Sequence, residues 1–342
     1  MARIVIGLLG ICVFGLLAGP AQAGPAIVFD VRTGTVFYSE SPDQPWHPAS
    51  LTKLMTAYLT FDALKAGRIK PDDKVVASPT SRRQPASKIG FRPGAKMTIS
   101  KALEALIVKS ANDVAVMVAE KIGGSVPGFV ALMNETAGRL GMTRTRFVNP
   151  NGLPHKAQVT TARDMGILAK RIIEEFPEHA ALFTKKYMKL GKIRMRSHNG
   201  LLKTLKGADG MKTGFICSAG FNIVASATRH GRRIIAVVLG EPTARARNAR
   251  ARQLLEYAFS NYLWKTLFSQ ASLTNLAFDP AKPTRARDVR RTVRVWACGY
   301  RPKRVKRQKA KAARKKGRAK AGNAVLAGTA IGTRFRMPGA DN

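Results

Sequence analysis

Two apolar runs rich in β-branched residues constrain the fold of this chain more than any other feature of its sequence. Residues 220–228 and 233–240 flank the turn-forming sequence Arg229-His230-Gly231-Arg232, a pattern that predicts a β-hairpin. Residues 26–38 show a similar arrangement, because apolar residues alternate on both sides of Arg32-Thr33-Gly34. Since neighbouring strands are predicted to pair as hairpins, the sheet that they form is expected to be antiparallel.

Helical spacing of apolar residues dominates the rest of the chain. The stretches with this pattern are 51–65, 99–122, 126–140, 162–175 and 253–264. Polar residues 109–113 interrupt the second stretch, and we expect them to form a loop facing a cleft, with the helix resuming at Val114. Ser50 stands at the N-terminal edge of the first helix. This order predicts an α+β fold, with an antiparallel β-sheet flanked by helices plus a helical subdomain.

The N-terminus has the pattern of a secretory signal. Residues 4–17 form an apolar run behind Arg3, and Ala21-Gln22-Ala23 provides a small-x-small cleavage site, so that residues 1–23 are predicted to be a signal peptide. The run is too short to cross a hydrocarbon core of about 30 Å as a helix. We therefore expect an exported protein, in the periplasm or at the surface of the cell envelope.

Positive charge distinguishes the C-terminal part of the chain. The net charge is +39, and residues 301–320 contain twelve Lys and Arg and no acidic residue. Such a composition cannot offset its ordering entropy by apolar burial. The sequence therefore predicts a folded domain over 24–265 and a basic, largely disordered tail over 266–342. Anionic lipid or an anionic wall polymer is the expected partner of that tail, and nucleic acid is disfavoured for an exported protein.

Cysteine and histidine provide no evidence for a metal or another cofactor. After cleavage of the signal only Cys217 and Cys298 remain; they could form one disulfide, although a packed, inert cysteine is the favoured interpretation of Cys217. The five histidines show no paired ligand spacing, so no metal site is predicted. The fold must therefore depend on its core.

Three short motifs bear the chemistry: Ser50-Leu51-Thr52-Lys53, Ser110-Ala111-Asn112 and Lys212-Thr213-Gly214. Residues three apart share a helix face, so the Lys53 amine can reach the Ser50 hydroxyl. A serine hydroxyl is a poor nucleophile until a neighbouring group accepts its proton, and a lysine accepts a proton only when it is neutral. Partial desolvation and a nearby cation such as Lys212 favour the neutral amine.

With these motifs the chain resembles the penicillin-binding, active-site-serine D-alanyl-D-alanine carboxypeptidases of low molecular mass, whose motifs are Ser-x-x-Lys, Ser-x-Asn and Lys-Thr-Gly. The sequences around the motifs, at 48–56, 108–113 and 209–214, agree as well, and the resemblance extends from about residue 26 to about residue 259. It implies a fold like that of the β-lactamases and transpeptidases, and removal of the terminal D-alanine from peptidoglycan stem peptides.

The resemblance also implies roles for single residues. Ser50 becomes acylated, Lys53 accepts its proton, and Ser110 relays a proton toward the leaving amine. Asn112 holds the substrate backbone or Lys53.

The third motif is implied to recognise the substrate. Lys212 binds the free carboxylate of the terminal D-alanine with help from Thr213, and Gly214 lets the strand approach the substrate closely. The backbone N–H groups of Ser50 and Phe215 hold the oxyanion.

Other functions stay open at this point. After Gly214 the sequence continues Phe215-Ile216-Cys217, whereas many relatives have a threonine at the second position after the motif, which affects the finer contacts of the carboxylate pocket. The alternatives are a DD-endopeptidase that cuts cross-links and a basic envelope-binding protein with relic motifs. A class A β-lactamase is disfavoured, because the chain has no Glu-x-x-Leu-Asn stretch to provide its deacylating base. We therefore expect β-lactams to act as covalent inhibitors.

Overall fold

The structure is a computed structural model that describes residues 24–277 and 285–299. Its strands are β1 (Ala26–Asp30), β2 (Val36–Glu40), β3 (Lys74–Val76), β4 (Lys96–Thr98), β5 (Tyr187–Leu190), β6 (Ile193–Arg196), β7 (Ala208–Ile216), β8 (Gly220–Arg229) and β9 (Arg232–Glu241). Its helices are α1 (Lys53–Lys65), α2 (Pro79–Arg82), α3 (Ile99–Glu104), α4 (Asn112–Gly123), α5 (Val126–Arg139), α6 (Ala162–Glu175), α7 (Ala180–Phe183), α8 (Leu201–Thr204), α9 (Ala244–Ser260) and α10 (Tyr262–Phe268). The predicted signal peptide and the predicted tail beyond residue 299 lie outside the described residues.

A five-stranded antiparallel sheet in the order β2-β1-β9-β8-β7 forms the centre of the fold. Both faces of its inner strands are buried, which explains why β8 and β9 are nearly continuous apolar runs instead of alternating ones. On one face Ile223 and Ala236 pack with Leu255 of α9, and on the other Val224 and Val237 belong to the main core. Both predicted hairpins are confirmed, and β7 is an edge strand.

Helix α1 lies in the main core and is buried along most of its length, with packing contacts to α4, α5 and α6. The predicted α+β fold with a helical subdomain is thereby confirmed. Within the described part of the chain, no single helix is long and apolar enough to cross a bilayer, and α4 and α5 would meet that test only together, as a pair bent by 82°.

Two helix boundaries differ from the prediction. The break predicted at 109–113 is shorter, because a π-helical turn follows α3 through Lys109 and α4 already begins at Asn112. Ser110 ends that turn in the left-handed region, with φ 60°. Helix α9 begins at Ala244, nine residues before the predicted start, because the Thr243 hydroxyl caps it while its arginine-rich first half shows no apolar stripe.

The folded domain extends past the boundary predicted at residue 265. Leu273, Val289 and Val293 are buried in the main core, so the predicted tail begins too early. Cys217 is not a free thiol, because it forms a disulfide with Cys298. The sequence of this segment does not predict its burial, because its few apolar residues stand between arginines.

We expect Leu273→Ala to lower the free energy of unfolding by about 3 kcal/mol, because it leaves a cavity beside Gly166 and Phe29 in the core. The matched control is Leu267→Ala on α10, where the side chain is 76% exposed and the change should stay within about 0.5 kcal/mol. Urea unfolding of both variants measures the difference. Equal stability of the two variants would show that the segment after residue 265 does not belong to the core.

Candidate active site

Ser50 lies in the single turn of 3-10 helix Ala49–Thr52 that leads directly into α1. The backbone of two glycines, Gly152 and Gly214, packs closely against this turn. A Cβ atom at Gly152, where φ is +84°, would lie 1.9 Å from the Ala49 carbonyl oxygen, and one at Gly214 would lie 3.0 Å from the Ser50 nitrogen. Residue 152 therefore requires glycine, whereas a side chain at residue 214 would fit only if the Ser50 turn moved by a few tenths of an ångström.

The Lys53 amine is completely buried and surrounded by oxygen atoms. Its Nζ lies 3.0 Å from Ser50 Oγ, 2.7 Å from Asn112 Oδ1 and 2.5 Å from the Asn151 carbonyl oxygen. Asn112 Nδ2 donates to the Pro85 carbonyl, which fixes the orientation of the amide and makes Oδ1 an acceptor.

Burial, and next the positive charge of Lys212, lower the pKa of Lys53 well below its ordinary value of 10.5, while Asp113 acts in the opposite direction. A neutral amine has two N–H donors and one lone pair. Asn112 Oδ1 and the Asn151 carbonyl can only accept, so they take the two donors. The lone pair is then left for the Ser50 hydroxyl, which is the arrangement that a general base requires.

Lys212 is a second buried lysine, in the middle of β7. Its Nζ donates to Ser110 Oγ at 2.9 Å and to the Thr213 carbonyl at 3.0 Å. Burial, and then the positive charge of Arg247, lower the pKa of Lys212 to about 7. The left-handed backbone of Ser110 brings its hydroxyl to this amine, so the second and third motifs meet through one hydrogen bond.

The second motif is held by the loop before it. Asn112 N donates to the Ser87 carbonyl at 2.7 Å, and Ser87 Oγ donates to the Lys109 carbonyl at 2.9 Å. The buried carboxylate of Asp113 accepts hydrogen bonds from the backbone N–H groups of Ile89 and Gly90. These bonds lock the motif against the loop, so Asn112 keeps its place beside Lys53.

All eight residues predicted for the site come together at one cleft of about 380 Å³. Those that line it are Ser50, Ser110, Asn112, Thr213, Gly214 and Phe215. Lys53 and Lys212 lie immediately behind Ser50 and Ser110, to which they are hydrogen-bonded. The cleft runs along the free edge of β7, where an extended peptide can pair with the strand.

Sequence reasoning missed two groups at this site. One is the Asn151 carbonyl, a backbone atom that no side-chain motif marks; the Asn-Gly turn at 151–152 is the available signal. The other is Arg247 on α9, which lines the cleft, is 4% exposed and is bonded to Asn248 Oδ1 at 2.8 Å. Within the described residues it has no carboxylate partner, and burial lowers its pKa to about 10. A buried, unpaired guanidinium at a cleft is suited to an anionic ligand.

A serine beside a buried lysine whose pKa is lowered, at the edge of an antiparallel sheet packed on helices, is the arrangement of active-site-serine enzymes that react through an acyl intermediate. The family model for D-alanyl-D-alanine carboxypeptidase, peptidase S11, matches residues 18–243. The chain belongs to this family.

Comparison with individual relatives supports the family assignment. D-alanyl-D-alanine carboxypeptidase DacA of Haemophilus influenzae is 38% identical over 261 residues, which cover 74% of this chain and 66% of the relative. The crystal structure of penicillin-binding protein 5 from the same species has a TM-score of 0.68 at 37% identity, covering 70% of this chain and 71% of that one. Penicillin-binding protein D2 of Listeria monocytogenes, in its ampicillin-bound form, has a TM-score of 0.64 at 31% identity, covering 70% of this chain and 97% of that one. The chain thus spans just under two thirds of the length of the Haemophilus DacA.

The two lysines predict a bell-shaped pH dependence for acylation of Ser50 by a fluorescent penicillin. The rate constant falls on acidification, because protonation of Lys53 removes the base. It falls again by roughly tenfold between pH 6 and pH 8, because Lys212, with its pKa of about 7, loses the charge that attracts the carboxylate of the reagent. In Lys212→Arg the alkaline limb should disappear, since a guanidinium stays charged. An unchanged alkaline limb in that variant would exclude Lys212 as its source.

Proposed function

We propose that this chain is a serine D-alanyl-D-alanine carboxypeptidase that removes the terminal D-alanine from peptidoglycan stem pentapeptides through an acyl-enzyme on Ser50. The observation that supports it most directly is the buried Lys53 amine, 3.0 Å from Ser50 Oγ, with its two N–H groups directed to oxygen acceptors. The family to which the chain belongs and the names of its relatives point to the same activity.

In the acylation step, Ser50 Oγ attacks the carbonyl carbon between the last two D-alanines while Lys53 Nζ takes the hydroxyl proton. The backbone N–H groups of Ser50 and Phe215 are the donors proposed for the oxyanion. The C–N bond then breaks, and D-alanine leaves with a proton that reaches its nitrogen through Ser110. A water molecule, activated by the same amine, hydrolyses the ester and regenerates Ser50.

Recognition of the free acid end rests on positive charge at the cleft. Arg247 is buried and lines the Ser50 cleft together with Thr213, and the buried Lys212 directly precedes Thr213 on β7. A carboxylate that enters here exchanges its hydration for charge-assisted hydrogen bonds and partners cations that are otherwise poorly compensated. These contacts orient the peptide so that its last amide bond faces Ser50.

A β-lactam has a carboxylate and a strained amide, so it should follow the acylation step and remain on Ser50. The ampicillin-bound structure of the Listeria relative supports this expectation.

Export to the periplasm or envelope surface is part of the proposal. The apolar run at 4–17, followed by Ala21-Gln22-Ala23, supports it, and so does the Cys217–Cys298 disulfide, because disulfides persist in oxidising compartments. Binding of the basic tail to anionic lipid or wall polymer stays a prediction, since residues 300–342 lie outside the described part of the chain.

Mass spectrometry of a stem pentapeptide incubated with the protein should show the loss of one alanine, and Ser50→Ala should abolish it. The covalent adduct with a fluorescent penicillin should be long-lived in the wild-type chain and absent from Ser50→Ala. A dimeric cross-linked peptide serves as the comparison. Cleavage of its cross-link without loss of terminal alanine from the pentapeptide would assign the protein as a DD-endopeptidase, and rapid penicillin turnover would assign it as a β-lactamase.

We expect Arg247→Met to raise the KM for the pentapeptide by about tenfold without lowering the free energy of unfolding, because removal of a buried, unpaired charge relieves a desolvation cost. The pKa of Lys212 should rise in this variant, so the alkaline limb of the activity moves to higher pH. The matched control is Arg250→Met on the same helix. Arg250 pairs with Glu40 and Glu241, so this change should cost about 2 kcal/mol of stability and leave KM unchanged. A stability loss for Arg247→Met with no change in KM would contradict the assignment.

A further inference from the structure

A second groove adjoins the Ser50 cleft. Its volume is about 530 Å³, and it shares Ala86, Phe215 and Ile216 with the cleft, so the two form one continuous depression along β7. Pro154 and Ala297 add apolar wall to it. None of the residues in the three motifs lines this groove, and of its lining residues only Phe215 takes part in the proposed chemistry, through its backbone N–H.

The outer wall of the second groove is the segment 285–298, which is fixed to the domain at several points. The disulfide joins Cys298 to Cys217 just beyond the end of β7. Val289 N donates to the Ser218 carbonyl, and the side chain of Val289 is 7% exposed. Arg294 N donates to the Pro242 carbonyl at 3.1 Å. The wall is therefore part of the folded unit.

One charge marks the second groove. Arg290 is the only ionisable side chain that lines it within the described residues. Its backbone N–H donates to Asp288 Oδ1, but its guanidinium makes no hydrogen bond or ion pair with any described residue. An exposed guanidinium on the rim of an otherwise apolar groove is a ready partner for a carboxylate.

The orientation of the bound peptide would place an acidic residue of the substrate in the second groove. If Lys212 and Arg247 hold the terminal carboxylate, the rest of the peptide must leave the cleft past Phe215 and Ile216. Ile216 lies four residues after Lys212 on β7, which is about 14 Å of extended chain. An extended peptide paired with this edge spans the same distance with its own four residues. The part of the peptide that lies two or three residues before the scissile amide therefore enters the second groove.

We propose that the second groove binds the acidic upstream part of the stem peptide, and that Arg290 pairs with a free carboxylate two or three residues before the terminal D-alanine. This inference rests on the proposed carboxypeptidase function. The γ-linked D-glutamate of a stem peptide presents such a carboxylate, and its amidated form, D-isoglutamine, lacks it. The disulfide and the hydrogen bond from Val289 N to the Ser218 carbonyl hold the segment that carries Arg290 beside the end of β7.

The test compares two pentapeptides, L-Ala-γ-D-Glu-L-Lys-D-Ala-D-Ala and the same peptide with D-isoglutamine at the second position. The wild-type chain should prefer the acidic peptide by about tenfold in kcat/KM, and 0.5 M salt should shrink the preference. Arg290→Gln should abolish the preference. Arg291→Gln removes the neighbouring exposed arginine, which does not line the groove, and should retain it. Cys298→Ser removes one of the three attachments of the wall and should reduce the preference less than Arg290→Gln does.

Failure of this inference is distinguishable from failure of the proposed function. If the wild-type chain hydrolyses both peptides and Arg290→Gln keeps the preference, the groove assignment is wrong while the carboxypeptidase stands. If neither peptide is hydrolysed, the carboxypeptidase is wrong, and the groove is tested by calorimetry of both peptides on Ser50→Ala with and without Arg290→Gln. Tighter binding of the acidic peptide that depends on Arg290 supports the groove, and equal binding overturns it. An equal loss for both peptides in Arg290→Gln would show a merely structural role.

Discussion

The desolvation of one amine is the constraint on which this molecule depends. In the proposed reaction Lys53 acts as a base only when it is uncharged, and water would keep it charged. The chain buries it completely at the start of a helix that is itself inside the core. Two acceptors occupy its N–H groups, and a second buried cation, Lys212, opposes its protonation. Each of these features costs stability. The two-sided burial of the sheet and the helical core offset that cost.

The unpaired edge of β7 lines the Ser50 cleft and is the surface on which a peptide can pair next to the Lys53 amine. The strand is paired on one side only, and its neighbour β8 is held by β9, so the edge presents backbone groups that no further strand pairs. Most soluble proteins cover such an edge. In this chain the edge instead forms one wall of the Ser50 cleft, and segment 285–298 covers only its far end. An unpaired strand edge promotes aggregation in other proteins. In this chain it is the surface that can form backbone hydrogen bonds with a peptide.

Much of the fold and most of the site could be predicted from the sequence, because strong local patterns encode them. The hairpins follow from β-branched runs around short turns, and the Ser50 and Lys53 pair follows from helical spacing. The rest has no local signal. The Asn151 carbonyl is a backbone atom that only tertiary structure brings to Lys53. Arg247 is one of many arginines in a very basic sequence. Its burial depends on the packing of α9 against the sheet, which no local pattern predicts. The segment around Val293 was concealed for the same reason, since a few apolar residues among arginines show their partners only in three dimensions.

The two glycines at the Ser50 turn limit how this chain can change over evolutionary time. A side chain at residue 152 would collide with the Ala49 carbonyl, and one at residue 214 would crowd the Ser50 nitrogen. In the proposed function, an inhibitor that imitates the substrate would meet the same backbone, where residue 152 cannot gain a side chain unless the Ser50 turn moves. Variation is therefore expected at side chains that line the cleft, such as Phe215 and Leu153. A ligand built to touch only the glycine-bounded interior would leave the chain few routes to resistance.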